Sequence, residues 1–185
     1  NVNVGAVNPL NYGDHYAWGE TRPKDSYYEN NYAYYKDGKY QKIGTKDKSS
    51  GGETCYSIYG TDYDAASANM GSNACTPTQT QCLELINNCT WTRVTINGVG
   101  AWKVANKTNA DNYILLPDAG RQEGEDFRSG NGYYMTAFGY DGSQLNDFYL
   151  TSSSKQASTG NRNYKCYGMT VRPVLSKNAT IIDNR

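Results

Sequence analysis

Tyrosine is the residue that most constrains how this chain can fold. The 185 residues include eighteen Tyr, three Trp and three Phe, while only 37% of all residues are hydrophobic. A tyrosine ring can pack in an interior while its hydroxyl stays hydrated or hydrogen-bonded, and disordered segments are poor in rings. The sequence therefore predicts a folded protein despite its polarity. Its length fits one domain of ordinary size, over residues 1–185.

The charges and the apolar runs argue against two classes of partner. The chain has 18 basic and 18 acidic residues and no long run of one sign. Nucleic-acid backbones are bound by clustered Lys and Arg, so no nucleic-acid partner is expected. No apolar run approaches the ~20 residues that span a bilayer, so we expect no direct membrane insertion of this segment.

The five cysteines do not form a metal or redox motif. No CxxC pair occurs, which argues against a zinc ribbon or a thioredoxin-like site. Cys82 and Cys89 lie on one face of a predicted helix, roughly 10 Å apart, which is too far for a mutual disulfide. We expect buried thiols that pack as small apolar groups. One disulfide, involving Cys55 or Cys75, remains open.

Two short helices are predicted in the middle of the chain. The first lies in GTDYDAASANMG, with Thr61 and Asp62 as candidate N-caps and Gly71 at its end. The second follows Thr78, a candidate N-cap, and Gln81 three residues later completes a capping box. Its apolar residues recur with helical spacing and should face the core. These residues are Cys82, Leu85, Ile86 and Cys89.

The rest of the chain has the pattern of short strands joined by Gly-, Ser- and Asn-rich loops. Asn97-Gly98 separates the β-prone runs TWTRVTI and VGAWKVA, a strong signal for a two-residue hairpin. Asp37-Gly38 marks a second turn. Two helices followed by several strands predict an α+β fold with small antiparallel β-sheets and long loops. The further predicted strands are Tyr113–Leu116, Tyr133–Phe138, Asp147–Thr151 and Met169–Val174.

The residues that could support catalysis or bind a metal do not form a recognisable site. The single His, His15, has no GxSxG-type partner, so we expect it to be structural or at the surface. Leu116-Pro117-Asp118 and Leu145-Asn146-Asp147 faintly resemble the ligand pairs of calcium-dependent lectins, but each lacks the usual polar residue. The acidic residues of RQEGEDF have the pattern of a solvated loop. We predict no catalytic residue, no metal ligand and no cofactor.

Four motifs occur in order along the chain: NVGAVNPLNYGDHYAWGETRPK, IYGTDYDAASANMG, TPTQTQCLELINNCTW and YGMTVRPV. Together they resemble the Fibrobacter succinogenes major paralogous domain, a large family of secreted proteins of gut Bacteroidetes and Fibrobacter. The resemblance covers roughly residues 3–174. It implies a single C-type lectin-like domain, related to the formylglycine-generating enzymes. The chain departs from the family at positions where the family usually has Trp, Arg or another aromatic residue: Ala74, Cys75, Cys82 and Met135.

Some members of this family are the variable proteins of diversity-generating retroelements, carried by gut bacteria such as Bacteroides and by their phages. In those proteins the last strands and loops before the VRPV-like motif contact the ligand, which corresponds here to residues 133–174. The resemblance implies a non-enzymatic binding module that is extracellular, on a cell surface or a virion. Its ligand would be a protein or a glycan on another cell surface. A homo-oligomer remains open.

The composition of residues 133–174 also favours a recognition surface, independently of the resemblance. Tyr offers rigid contact area at low entropic cost, and Ser, Gly and Asn offer adaptable hydrogen bonds. Alternation along DFYLT directs Phe148 and Leu150 towards the core, and Tyr149 and Thr151 towards an open face. The expected ligand-binding residues are Phe138, Tyr140, Asp141, Tyr149, Thr151, Ser153, Asn163, Tyr164, Cys166 and Tyr167.

Two other functions remain open for this sequence. One is a calcium-dependent glycan-binding adhesin. The other is an oxidase similar to the formylglycine-generating enzymes, for which Cys166 beside Lys165 is the one candidate for an activated thiol. The rings of the C-terminal region could also pack under their own loops, which would leave no recognition surface.

Overall fold

The computed structural model describes residues 1–48, 52–151 and 157–177, and its secondary structure is mostly β. Strands account for 44% of its residues and helices for 11%. The predicted α+β class is therefore wrong, because both helices are short and several segments expected to be loops pair as strands. The C-type lectin-like fold that accompanied this class is not confirmed, since the arrangement identifies no specific fold.

The described part of the chain contains two short α-helices and a series of mostly short strands. The helices are α1 (Ala65–Met70) and α2 (Gln79–Asn88), and a short 3-10 turn covers Glu29–Asn31. In chain order, the strands are β1 (His15–Tyr16), β2 (Tyr35–Lys36), β3 (Lys39–Tyr40), β4 (Thr45–Lys48), β5 (Thr54–Ser57), β6 (Ala74–Cys75), β7 (Cys89–Ile96), β8 (Val99–Asn106), β9 (Tyr113–Pro117), β10 (Arg121–Glu123), β11 (Asp126–Arg128), β12 (Gly132–Tyr140), β13 (Gln144–Leu150), β14 (Ala157–Tyr164), β15 (Gly168–Thr170) and β16 (Val174–Leu175).

The largest sheet contains most of the C-terminal part of the described chain. Its main path runs in the order β11-β10-β15-β12-β13-β14, while β1 pairs with β15 and β5 links β4 to β12. Strands β12 and β15 run parallel, and the remaining described pairs of this sheet are antiparallel. Strand β12 therefore contacts strands from both ends of the chain, which places residues distant in sequence side by side.

The hairpins at Asn97-Gly98 and Asp37-Gly38 are confirmed. Strands β7 and β8 pair from Cys89↔Asn106 to Ile96↔Val99, and β9 completes a three-stranded sheet. Asn97 has a φ of 51° and Gly98 a φ of 80°, the left-handed conformations that a type I′ turn requires. Strands β2 and β3 flank the second turn in the same way.

The two helices begin at buried or half-buried caps. Helix α2 begins after Thr78, whose side chain accepts from the Gln81 amide. The Gln81 side-chain oxygen in turn accepts from the Thr78 amide, so the predicted capping box is confirmed. Helix α1 begins later than expected. Its N-cap is Asp64, whose carboxylate accepts from the amides of Ala66 and Ser67. Thr61 and Asp62, the expected N-caps, lie before Asp64 and do not cap the helix.

The predicted C-terminal strands are found with shifted bounds. The expected strand Tyr133–Phe138 lies within β12, and the expected strand Asp147–Thr151 overlaps β13. The expected strand Met169–Val174 is wrong as a single element, because it is divided between β15 and β16. These two strands belong to different sheets, so the chain leaves the main sheet between them.

The interior is built from three clusters that combine rings with smaller apolar groups. The central one includes Tyr16, Trp18 and Met135, between the N-terminal segment and the main sheet. The second lies between α2, the β7–β9 sheet and the main sheet, and includes Cys82 and Trp102. The third is smaller and contains Ala17, Tyr27, Tyr32 and Cys166.

All five cysteines are free thiols, and four of them are buried. The open alternative of a disulfide at Cys55 or Cys75 is therefore not realised.

The described helices include none that is long and apolar enough to cross a lipid bilayer.

Candidate recognition surface

Four tyrosines and one arginine form a continuous row across the main sheet. Tyr133 and Tyr149 are register partners on β12 and β13, with ring centroids 5.0 Å apart. The Arg121 guanidinium lies 4.3 Å from the Tyr133 ring centroid and 5.5 Å from that of Tyr167. Tyr164 completes the series, with its ring 5.3 Å from the Tyr167 ring. We call these five residues the tyrosine row.

Strand alternation explains why the register partners Tyr133 and Tyr149 lie on one face, and ring contacts extend the row from there to Tyr164 at the end of β14. In β12, Tyr134 packs into the second core cluster, so its neighbour Tyr133 points to the opposite face. In β13, Phe148 and Leu150 are buried while Tyr149 is partly exposed, which confirms the predicted alternation. Tyr164 is 47% exposed, and the other three rings are accessible in part. The row is therefore open to solvent along its length.

Ion pairs hold Arg121 in place within the row. Its Nε donates to Glu123 Oε1 at 2.6 Å, and a second guanidinium N–H donates to the same oxygen. Arg128 donates to the other Glu123 oxygen at 2.9 Å. Burial raises the pKa of Glu123, but the hydrogen bonds from both arginines outweigh it and leave that pKa below its ordinary value. A fixed guanidinium loses little conformational freedom when a ligand binds.

A buried carboxylate lies beside the row, on the strand that carries Tyr149. Asp147 has no exposed surface, and its Oδ2 accepts from Asn163 Nδ2 at 3.1 Å and from Asn161 Nδ2 at 3.3 Å. Among the described residues, its Oδ1 has no hydrogen-bond partner. Burial raises the pKa of Asp147 to about 6, and the two asparagines and the charge of Arg121 offset only part of this effect.

A second group of predicted residues lies elsewhere. The rings of Phe138 and Tyr140 are 5.2 Å apart, and the Arg162 guanidinium lies 4.1 Å from the Tyr140 ring. Asn146 Nδ2 donates to the Tyr140 hydroxyl at 3.2 Å. Because Asn146 and Asp147 are consecutive in β13, this group lies on the opposite face from Asp147. Nearby, Asp141 pairs with Lys42 at 3.0 Å and is exposed.

The remaining predicted residues do not contribute to one shared open face. Thr151 is partly exposed, and its carbonyl accepts from Trp102 Nε1 at 2.9 Å. Asn163 is only 5% exposed, because its side chain supports Asp147. Cys166 is also 5% exposed and packs in the third core cluster. Ser153 lies outside the described residues. The expected ligand-binding residues therefore do not share one open face.

An open pocket of about 380 Å³ lies at the Tyr164 end of the row. Tyr164 and Tyr167 line it from the C-terminal part of the chain, and Tyr28 lines it from the N-terminal part. Glu29 and Glu123 supply its carboxylates. Tyr28 is 47% exposed, the same fraction as Tyr164, so accessible rings from both parts of the chain line the same pocket.

Three residues of this region, Tyr133, Arg121 and Glu123, were not among the expected ligand-binding residues. For Tyr133 a signal exists: Asp141-Gly142 is a turn pattern between two β-prone runs, and a hairpin there would have paired β12 with β13. For Arg121 and Glu123 the local sequence carries no such signal. Their position depends on β10 pairing with β15, which lies far away in the sequence.

The structure places the other candidates for chemistry in structural roles. His15 Nε2 lies 2.9 Å from the Ala119 carbonyl oxygen, and burial lowers the pKa of this imidazole. Asp118 is held by Arg93 in a bidentate pair. Burial raises the pKa of Cys166 to about 11, the opposite of an activated thiol. Within residues 1–48, 52–151 and 157–177, no three or more His, Cys, Asp or Glu side chains are placed to hold a metal ion.

Comparison of the chain with protein-family models, with curated proteins and with solved structures returned no match. The resemblance to the Fibrobacter succinogenes major paralogous domain therefore stays a prediction.

Proposed function

We propose that this chain is a non-enzymatic recognition module that binds a protein or glycan ligand through the tyrosine row. The proposal is supported by one observation: partly exposed rings and a guanidinium contact one another in a continuous series along the main sheet. Tyrosine and arginine are the residue types that most often dominate binding energy. The module would act outside the cell, on a cell surface or a virion.

The packing of the row favours binding over a purely structural role. Tyr133 and Tyr167 pack against the central core cluster on one side, which holds their rings in fixed positions. A ligand that contacts them therefore meets a preorganised surface and orders few side chains on binding. The pocket between Tyr28 and Tyr164 adds a concave end to this surface, where a protruding group such as a sugar ring or a side chain could enter.

The test uses the purified chain, biotinylated and tetramerised on fluorescent streptavidin. It is applied to intact gut bacterial cells, before and after protease treatment, and to a printed glycan array. We expect Tyr149→Ala and Tyr164→Ala each to lower binding by about tenfold or more, as for a hot-spot ring. Survival of binding after protease treatment, together with signal on the array, identifies a glycan ligand. Loss after protease treatment identifies a protein.

Tyr113→Ala is the matched control for these variants. Tyr113 is 43% exposed, close to the exposure of Tyr164, and the Lys103 ammonium lies 4.1 Å from its ring centroid. It lies on β9, outside the row. The control should bind as the unchanged chain does. An equal loss in all three variants, or no binding by the unchanged chain to any of the probes, would contradict the proposal.

A further inference from the structure

A second cavity, of about 820 Å³, opens beside helix α2 and is lined mainly by apolar side chains. It lies between α2, strand β9, the first two residues and the segment that leads into β16. This volume is within the range of small-molecule pockets. Its apolar lining includes Met70, Leu85, Ile114, Val174 and Leu175.

This cavity lies on the opposite side of the main sheet from the tyrosine row. Tyr134 and Phe148 line it, and they are the strand neighbours of Tyr133 and Tyr149. Successive residues of a strand point to opposite faces. The cavity is therefore separate from the proposed recognition surface, and an inference about it does not depend on that proposal.

A buried arginine forms part of the cavity wall. Arg172 is only 7% exposed, and its Nε donates to Asn3 Oδ1 at 2.7 Å. Its Nη2 donates to the Leu115 carbonyl at 2.7 Å. Its Nη1 donates to the Asn1 side-chain oxygen at 2.8 Å and to the Asn1 carbonyl at 3.3 Å. Each of these acceptors is neutral, so none of them is a counter-charge for the guanidinium.

A buried cation that has only neutral partners is unusual, because charges inside proteins are generally paired. Burial lowers the pKa of Arg172 from its ordinary value, and this effect exceeds the opposing effect of Tyr134. A carboxylate is the anion that fits a guanidinium best, since two parallel N–H···O bonds can form. Asn1 is exposed, so an incoming carboxylate could replace its oxygens at Nη1.

We propose that this cavity binds an apolar carboxylate of the medium-chain fatty acid class. The carboxylate pairs with Arg172, and the alkyl chain lies along Leu85 and Ile114. Charge complementarity at Arg172 selects the head group, and the apolar walls select the tail. The ligand thereby supplies a counter-charge for the Arg172 guanidinium, which its neutral acceptors cannot provide.

The experiment titrates the purified chain with decanoate, below its micelle concentration, by isothermal calorimetry. Decanol and decyltrimethylammonium, which have the same alkyl chain, are titrated in parallel. We expect decanoate to bind about tenfold or more tightly than decanol, and decyltrimethylammonium to bind weakest. Equal affinity for all three would show an apolar cavity without a role for Arg172. No heat with decanoate would overturn the proposal entirely.

Two variants of helix α2 locate the site. Leu85 lines this cavity, whereas Leu83 is 41% exposed and lines a different pocket. Leu85→Glu should weaken decanoate binding by about tenfold, because it places a negative charge against the alkyl chain, while Leu83→Glu should bind normally. Leu175→Glu, at a rim position that is 59% exposed, serves the same purpose if Leu85→Glu fails to fold. Unchanged affinity in a folded rim or wall variant would place binding elsewhere and refute the site.

Discussion

The guanidinium of Arg121 lies over the ring of Tyr133, 4.3 Å from its centroid, although twelve positions separate them in the chain. Strand β10 reaches this position through its pairing with β15, which in turn pairs with β12. The same guanidinium also lies near Tyr167. Arg121 therefore links rings on different segments, and Glu123 fixes it from the other side.

The first prediction concerns this stacking. Arg121→Lys keeps a positive charge for Glu123 but loses the planar group that lies against two rings. We expect binding of the tetramerised chain to cells or to the glycan array to fall by about tenfold, with the melting temperature nearly unchanged. Arg128→Lys is the matched control, because Arg128 pairs with the same carboxylate. If both variants bind equally poorly, the guanidinium hydrogen bonds to Glu123 matter and the stacking on the rings does not.

The second prediction concerns the buried carboxylate of Asp147. Its pKa in the folded protein is about 6, above the ordinary value of 3.8. Between these values the folded state binds more protons than the unfolded state, so its contribution to stability decreases as pH rises from about 4 to about 6. Asp147→Asn removes the charge. It should be more stable than the unchanged chain by about 2 kcal/mol at neutral pH, and the difference should vanish below about pH 4.

Urea unfolding at a series of pH values measures this difference. Asp62→Asn is the control, because it removes one carboxylate from an exposed surface turn. The stability difference between Asp147→Asn and the unchanged chain should change with pH. If it stays constant from about pH 4 to pH 7, the raised pKa of Asp147 is contradicted.

Local sequence signals predicted the parts of the fold that depend on near neighbours. Asn97-Gly98 specified its hairpin because the turn itself demands left-handed backbone conformations. Thr78 and Gln81 specified the start of α2 because the capping box is complete within four residues. Tyr149 was assigned to an open face because strand alternation needs only the adjacent residues.

The elements that escaped prediction depend on pairing between strands rather than on their own residues. The segment ASTGNRNY contains Gly and many polar residues, so nothing in it indicates a strand, yet it forms β14 against β13. Its asparagines Asn161 and Asn163 donate to Asp147 on the neighbouring strand, a contact that the segment alone does not reveal. Cys166 was expected among the ligand-binding residues, but the chain turns there and buries the thiol. The mostly β class follows from such pairings, which short-range patterns do not reveal.

The third prediction concerns thiol reactivity. Cys89 is the one cysteine that is not buried, whereas burial raises the pKa of Cys82 to about 12 and that of Cys55 and Cys166 to about 11. Titration of the native chain with a disulfide reagent near neutral pH should therefore show one fast thiol, and Cys89→Ser should remove it. In denaturant all five should react. A fast thiol that persists in Cys89→Ser would indicate that another cysteine is activated.

The last prediction concerns Asp64, a fully buried carboxylate that joins α1 to the segment after β6. Its oxygens accept from the Gly60 amide at 2.8 Å and from the amide and hydroxyl of Thr76 at 3.0 Å and 2.6 Å, besides capping the helix. Asp64→Ala leaves these buried donors without a partner and should lower the free energy of unfolding by about 3 kcal/mol or more. Thr78→Ala removes only a helix cap and should cost about 1 kcal/mol. Urea unfolding compares the two variants. A loss for Asp64→Ala no larger than that for Thr78→Ala would mean that Asp64 acts as an ordinary cap, and that the link between α1 and Thr76 contributes little to stability.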